Sequence, residues 1–227
     1  FAKQDQNIRK REGYMIVALS WITMSVFGMM PYLLSGTIPN YADAIFETVS
    51  GFTTTGASIL TDIERLPEGI LLWRSMTQWI GGLGIIVLTV AILPLLGIGG
   101  IELFVAESPG PTSDKVHPRI RETAKRLWLI YCGLTLLLVI IYYLEGMTFF
   151  DAMNHALTTM STGGFSTKNN SMAYFDSAII QYTAVLFMFL AGTNFTLIYF
   201  AFKGRFRRIW ASDEFRAYFR SVILLVI

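Results

Sequence analysis

Four long stretches without a charged residue constrain this chain more than any other feature. No Asp, Glu, Lys or Arg occurs in 13–42, 75–101, 127–144 or 177–202, and the shortest of these stretches has 18 residues. A helix needs roughly 20 mostly apolar residues to cross the hydrocarbon core of a bilayer. With 53% hydrophobic and 15% charged residues overall, the chain is more apolar than soluble domains usually are. The sequence therefore predicts an all-α membrane protein.

Charge and cysteine content exclude several classes of function. A formal net charge of +2, with no basic run interleaved with aromatic residues, argues against nucleic-acid binding. The single cysteine, Cys132, predicts neither a disulfide framework nor a thiolate metal site.

A polar N-terminal segment leads into an apolar run too long for a signal peptide. We expect that run to be a retained helix.

The basic residues predict which side of the membrane each loop faces. Fifteen of the eighteen fall in three segments: the N-terminus, the linker between the two halves, and the stretch after 202. Short cytoplasmic loops are enriched in Lys and Arg, so these three segments should be cytoplasmic. Acidic residues outnumber Arg65 and Lys168 in the two long loops between them, which predicts a negatively charged outer mouth. Arg74, beside Trp73, is interpreted as an anchor at the membrane interface.

The chain repeats itself at an offset of 108 residues. Four pairs of identical residues keep this offset: Asp43 and Asp151, Thr54 and Thr162, Gly56 and Gly164, Ser58 and Ser166. Such a repeat indicates duplicated units packed about a shared axis or plane. Each unit is predicted to be a helix, a re-entrant pore loop and a second helix around a central ion pore. We expect the units at 13–96 and 119–202, and cytoplasmic segments at 1–12, 97–118 and 203–227, the last with the start of a third unit.

A short helix and a Thr/Gly segment make up each predicted pore loop. Asp43 and Asp151 are expected to be N-caps, and a helix over 44–52 is too short to cross the membrane. Because lipid cannot satisfy free backbone groups, the chain after that helix must be surrounded by protein or water. Glycine allows backbone angles that turn successive carbonyl oxygens to one side. Segments 53–57 and 161–165 therefore have the composition of a carbonyl-lined cation filter, toward which the negative ends of the short helices would point.

Four motifs accompany the repeat: Phe52-Thr-Thr-Thr-Gly-Ala57, Ser161-Thr-Gly-Gly-Phe165, Gln78-Trp-Ile-Gly-Gly-Leu-Gly84, and a linker from Leu96-Gly-Ile-Gly-Gly100 through Ala106-Glu-Ser-Pro-Gly-Pro111 to Pro118-Arg-Ile-Arg-Glu-Thr-Ala-Lys125. Together they resemble the Trk/Ktr/HKT superfamily of potassium transporters, and bacterial Trk-type membrane subunits in particular. The resemblance covers essentially the whole chain. Members of this superfamily have four units, so we expect this chain to be two units of a longer subunit. The alternative is that two copies assemble into one pore.

The resemblance implies potassium uptake across the bacterial cytoplasmic membrane, with Gly56 and Gly164 as filter glycines. The adjacent backbone that it implies for cation binding belongs to Thr54, Thr55, Ala57, Thr162, Gly163 and Phe165. The resemblance implies K⁺ as the substrate, with Na⁺ and Rb⁺ as further candidate cations. It implies neither a cofactor nor enzymatic activity. Both symport and passive flow are left open as transport modes. The implied partners are the bilayer, a second complete subunit in a homodimer, and a cytosolic ring of nucleotide-binding regulatory subunits.

Two alternatives come from other classes of function: a membrane-embedded enzyme that uses Asp151 and His155, and a structural assembly module. His155 has no second His, Cys or paired carboxylate in register, which favours a structural role. Small residues in the helices after the pore loops favour close helix packing, or a wide path below the filter. Asn194 is predicted to be either an interhelical contact or a cavity-lining group. The basic linker suits anionic lipid as well as a regulatory ring.

Overall fold

A computed structural model describes residues 10–91 and 116–226. These residues form helices joined by turns and loops, with no β-strand among them, which confirms the all-α prediction. The predicted N-terminal segment before residue 10 and most of the predicted linker, 97–115, lie outside the described residues.

The first half of the fold has four described helices: α1 (Lys10–Gly28), α2 (Met30–Leu34), α3 (Tyr41–Phe52) and α4 (Glu68–Ala91). Helices α1 and α2 are separated by a break at Met29. Pro31 lies in the first turn of α2, where its missing N–H is not needed for an intrahelical bond. The Trp73 indole donates a hydrogen bond to the Gly28 carbonyl oxygen at 2.9 Å, so α4 is tied to this break.

The second half repeats the pattern and continues beyond it. Its helices are α5 (Val116–Leu144), α6 (Phe149–Met160), α7 (Ala178–Ala191), α8 (Phe195–Phe202), α9 (Phe206–Ala211) and α10 (Asp213–Val226), with a 3₁₀ turn at Ser171–Tyr174. Helices α3 and α6 have the same length and lie 108 residues apart, like the sequence motifs that follow them. They correspond to the two short pore helices predicted from the sequence, and that name is kept for them below.

Two described stretches are long and apolar enough to cross a membrane, Val17–Leu34 and Lys125–Leu144. The uncharged stretch 177–202 differs from the expected continuous helix, because α7 and α8 are bent by 105° relative to each other. At this break the Asn194 Oδ1 accepts a hydrogen bond from the Thr196 N–H at 2.9 Å. Asn194 is therefore the N-cap of α8.

The N-caps of the pore helices differ from the prediction. The Asn40 Oδ1 accepts from the Ala42 N–H at 3.0 Å and caps α3. Thr148 caps α6: its hydroxyl accepts from the Asp151 N–H at 3.1 Å and donates to the Asp151 carboxylate at 2.9 Å. The prediction of Asp43 and Asp151 as N-caps was wrong, since both lie in the first turn. There a carboxylate still faces the positive end of the helix dipole.

Two apolar clusters hold the helices together. The larger one joins α5, α6 and α7, and the smaller one joins α2, α3 and α4. Ala44 of α3 and Ala152 of α6 are equivalent in the repeat, and both are fully buried. Helix α4 packs against α3 in its own half and against α5 and α6 in the other. Helix α4 therefore contacts both pore helices.

Candidate functional site

The two pore loops share one backbone geometry. The φ angle is +54° at both Thr54 and Thr162, +77° at Gly56 and +81° at Gly164. A positive φ is uncommon outside glycine, so its occurrence at both equivalent threonines indicates one turn built twice. Gly56 and Gly164 occupy positions that favour glycine, because a Cβ atom is disfavoured at such angles.

The N–H groups after each pore helix point back to that helix. The Thr55 N–H donates to a carbonyl of α3 at 3.0 Å, and the Gly163 N–H donates to a carbonyl of α6 at 2.9 Å. In a trans peptide the C=O points opposite to the N–H of the same plane, and the described residues contain no cis peptide bond. The carbonyl groups of Thr54 and Thr162 therefore point away from their pore helices.

Two carbonyls of the predicted set are bonded to side chains instead. The Gln78 Nε2 donates to the Gly163 oxygen at 2.9 Å, and the Ser50 hydroxyl donates to the Ala57 oxygen at 2.5 Å. Phe165 is buried, and its N–H donates to the Gln78 Oε1 at 3.1 Å. By the same trans-peptide argument, the carbonyl of the preceding glycine points away from Gln78.

Each pore helix is tied to the segment that returns after it, at equivalent positions but with different chemistry. The Ser58 hydroxyl donates to the Glu47 carboxylate at 2.9 Å, whereas the His155 Nε2 and the Ser166 hydroxyl are 2.9 Å apart. The His155 Nδ1 lies 2.8 Å from the Asp151 backbone oxygen. Because a carbonyl oxygen only accepts, Nδ1 carries the proton, and a neutral imidazole then accepts from Ser166 through Nε2.

Asp151 and His155 do not form an acid–base pair through the Asp151 carboxylate. That carboxylate accepts hydrogen bonds from Thr167 at 2.5 Å and Thr148 at 2.9 Å, and Lys168 lies 3.6 Å away. Burial acts to raise the Asp151 pKa, but these hydrogen bonds and nearby positive charge outweigh it and lower the pKa. Within residues 10–91 and 116–226, no group of three or more His, Cys, Asp or Glu residues is placed to hold a metal ion. This geometry does not favour the enzyme alternative.

Arg74 lies at the centre of the site, and the prediction that it is an interfacial anchor was wrong. Its Nε forms a buried ion pair with Glu47 at 2.9 Å. Its other nitrogens donate to the Ser58 hydroxyl and to the Ser166 carbonyl oxygen, each at 3.2 Å. Its guanidinium carbon lies 4.2 Å from the centroid of the Phe165 ring. A single side chain of α4 therefore contacts both returning segments at equivalent positions.

The sequence did not identify Gln78 as part of the site either, because Gln78 stood out only as the first residue of the motif that ends at Gly84. One general argument could have found Arg74. A charged side chain inside a membrane protein needs a buried partner, and Glu47 on the amphipathic pore helix is such a partner. No comparable argument identifies the backbone groups that Gln78 binds.

The loops that follow the two pore helices are also connected by Asn169, beyond the Thr/Gly segments. Its Oδ1 accepts from the Ile63 N–H at 2.8 Å, and its own N–H donates to the Glu64 carboxylate at 3.1 Å. Its Nδ2 lies 3.3 Å from the Asp62 carboxylate. All three contacts are exposed, so this connection is weaker than the buried contacts of Arg74 and Gln78.

Comparison with known proteins gives one consistent result. The family model TrkH, described as a cation transport protein, matches residues 1–224. The chain is 44% identical over 229 residues to the Trk system potassium uptake protein TrkH of Vibrio parahaemolyticus, covering 98% of this chain and 47% of that protein. Identity to TrkH of Escherichia coli K12 is also 44% over 229 residues, covering 99% and 47%.

A solved structure gives the same result at the level of the fold. The crystal structure of the potassium transporter TrkH from Vibrio parahaemolyticus superposes with a TM-score of 0.84 at 41% identity, covering 99% of this chain and 46% of that chain. The chain spans about half the length of the curated relatives it matches.

Proposed function

We propose that this chain, which belongs to the TrkH family of cation transport proteins, supplies two pore-loop units of a potassium uptake subunit. The chain is an integral membrane protein, as its apolar helices and its relatives indicate. The observation that carries the proposal is the shared backbone geometry of the two loops, with positive φ at Thr54, Gly56, Thr162 and Gly164. The relatives are named potassium uptake proteins, which supports K⁺ as the substrate.

The proposed ligands are a subset of the eight residues identified from the sequence. The carbonyls of Thr54 and Thr162 point away from their pore helices, and that of Gly164 points away from Gln78. We propose that these three oxygens bind a dehydrated cation. Thr55 and Gly56 connect Thr54 to Ala57 in the first loop. The remaining three, Ala57, Gly163 and Phe165, hold the loops in position through Ser50, Gln78 and Arg74.

Electrostatics supports cation flow through this site. Helices α3 and α6 end at the loops, and each helix C-terminus is equivalent to roughly half a negative charge. Neutral carbonyl ligands bind K⁺ strongly enough to admit it and weakly enough to release it. We therefore propose channel-like passive flow of K⁺, without enzymatic chemistry or a bound cofactor.

Two loops provide about half of the carbonyl ring that a fourfold filter uses. We propose that further pore-loop units complete the ring, either from the same subunit or from a second copy. The chain expressed as it stands should therefore not conduct as a monomer. Flux from a proven monomer with two loops would contradict the fourfold pore, and flux only from dimers would favour the two-copy alternative.

The proposed location is the bacterial cytoplasmic membrane, with the N-terminus and the residues after 202 on the cytoplasmic side. A homodimer of the complete subunit and a cytosolic nucleotide-binding ring are the proposed partners. Cysteines introduced at Asn170 and Ser212, in a Cys132→Ser background, test the orientation with an impermeant thiol reagent. Asn170→Cys should react in intact cells and Ser212→Cys only after permeabilisation; the opposite pattern would overturn the orientation.

The filter itself is tested by fusing this chain to the second half of the Vibrio parahaemolyticus TrkH protein and measuring K⁺ and Na⁺ uptake in vesicles. Gly56→Ser should lower the K⁺/Na⁺ uptake ratio, because a side chain restricts the φ angle of +77° at this position. Gly69→Ser is the matched control, since no described atom outside its chain neighbours and its own helix backbone lies within 4 Å of the point that its Cβ would occupy, and its φ is not left-handed. An unchanged ratio in Gly56→Ser would remove Gly56 from the filter.

A further inference from the structure

Gln78 is a fully buried amide on α4, and both ends of its side chain bind the second pore loop. Its Nε2 donates to the Gly163 carbonyl oxygen at 2.9 Å, and its Oε1 accepts from the Phe165 N–H at 3.1 Å. These contacts cross 85 and 87 residues of sequence. One side chain from the first unit therefore fixes two successive peptide groups of the second unit.

The peptide group between Gly163 and Gly164 needs such a contact because glycine lies on both of its sides. Glycine restricts backbone rotation less than any other residue, so local sequence does little to fix this peptide plane. The equivalent peptide in the first loop lies between Thr55 and Gly56. Threonine is β-branched and narrows the accessible backbone angles. The second loop has Gly163 in place of Thr55 and so lacks this restriction, and it is the second loop that Gln78 binds.

The space around Gly163 explains why glycine is found there. Its φ is not left-handed, so its backbone angle does not require glycine. A Cβ atom at this position would lie 2.3 Å from the Gln78 Cδ. Gly163 therefore makes room for the amide, and the amide replaces the conformational restriction that a side chain at Gly163 would have supplied.

We propose that Gln78 is a positioning residue that determines the cation selectivity of the second pore loop. It holds the Gly163 carbonyl toward α4, and through the Phe165 N–H it keeps the Gly164 carbonyl pointing away from α4. Without the amide, the peptide group between the two glycines can rotate and change which oxygens face the cation. This inference rests on the proposed filter function.

A double-mutant cycle in the same fusion protein tests the inference, with the K⁺/Na⁺ uptake ratio as the readout. Gln78→Ala, which removes both hydrogen bonds, should lower the ratio by about 2- to 10-fold, a change in relative K⁺ and Na⁺ binding comparable to the net contribution of about one hydrogen bond. Adding Gly163→Ala should restore much of the ratio, because the new methyl group fits the vacated space and removes the backbone freedom of glycine. Gly163→Ala alone should lower the ratio, since its Cβ displaces Gln78. Thr77→Val is the matched control: Thr77 is equally buried, but its hydroxyl bonds within α4.

The outcomes separate this inference from the filter proposal. If Gly164→Ser lowers the ratio but Gln78→Ala does not, the role of Gln78 is overturned and the filter stands. If neither variant changes the ratio, the filter proposal fails as well. If Gln78→Ala does not accumulate but the double variant does and retains the ratio, the inference is supported. If neither accumulates and Gly163→Ala keeps the original ratio, Gln78 is only a packing residue and the inference is wrong.

Discussion

The two pore loops have the same backbone and different supports. Both place positive φ at the same two positions, 108 residues apart. In the first loop the pore helix offers a carboxylate, Glu47, which is paired with Arg74. In the second it offers a neutral imidazole, His155, and the amide of Gln78 fixes the following peptide groups. The comparison shows that local sequence sets the turn, whereas side chains from α4 hold it in place.

The most disruptive change should be the loss of Arg74, whose side chain contacts both loops. Arg74→Met leaves the Glu47 carboxylate buried without its cation, which typically costs about 3–5 kcal/mol. We expect a large drop in the amount of folded protein in membranes and in its thermal unfolding midpoint in detergent. Such a loss would affect both loops together.

Arg65 provides the control for this prediction. It forms an ion pair with Asp62 at 2.8 Å, but its side chain is 88% exposed, and exposed pairs contribute about 0–1 kcal/mol. Arg65→Met should therefore change the unfolding midpoint little. Equal effects of the two substitutions would contradict the role given to Arg74, as would a normal midpoint in Arg74→Met.

Gly56 and Gly164, the two proposed filter glycines, should differ in their tolerance of alanine. Alanine at a left-handed φ costs about 1–2 kcal/mol at either position. At Gly56 the new Cβ would also lie 2.1 Å from the Gly163 carbonyl oxygen, whereas no described atom outside the chain neighbours lies within 4 Å of the corresponding point at Gly164. Gly56→Ala should thus lower the unfolding midpoint more than Gly164→Ala. The reverse order would show that the two loops do not approach each other in this way.

The outer connection should have the smallest effect. Asn169→Ala removes two side-chain hydrogen bonds to the segment around Ile63. Exposed bonds of this kind contribute about 0.5–1.5 kcal/mol each at most, so the midpoint should fall slightly and the K⁺/Na⁺ uptake ratio should stay constant. Asn170→Ala, at an exposed neighbour whose side chain makes no cap hydrogen bond, is the control. A changed ratio in Asn169→Ala alone would mean that the outer loops also position the filter.

The sequence was sufficient for features that depend on local pattern. The uncharged stretches predicted the all-α membrane fold, and the Thr/Gly repeats predicted where the chain turns. It was insufficient for contacts between distant segments, since Arg74 binds Ser166 across 92 residues and Gln78 binds Gly163 across 85. The N-caps failed for a subtler reason: the carboxylates of Asp43 and Asp151 suit the first turn of a helix as well as its cap. Only the structure distinguishes these positions.

The central claim is that backbone carbonyls of the two loops bind the transported cation. Anomalous diffraction from Rb⁺ in crystals of the fusion protein tests it most directly, because Rb⁺ replaces K⁺ and its position can be located independently of the protein. We expect a peak at coordination distance from the carbonyl oxygens of Thr54, Thr162 and Gly164, and its loss in Gly164→Ser. A peak bound instead by the outer carboxylates, with none beside these carbonyls, would contradict the account.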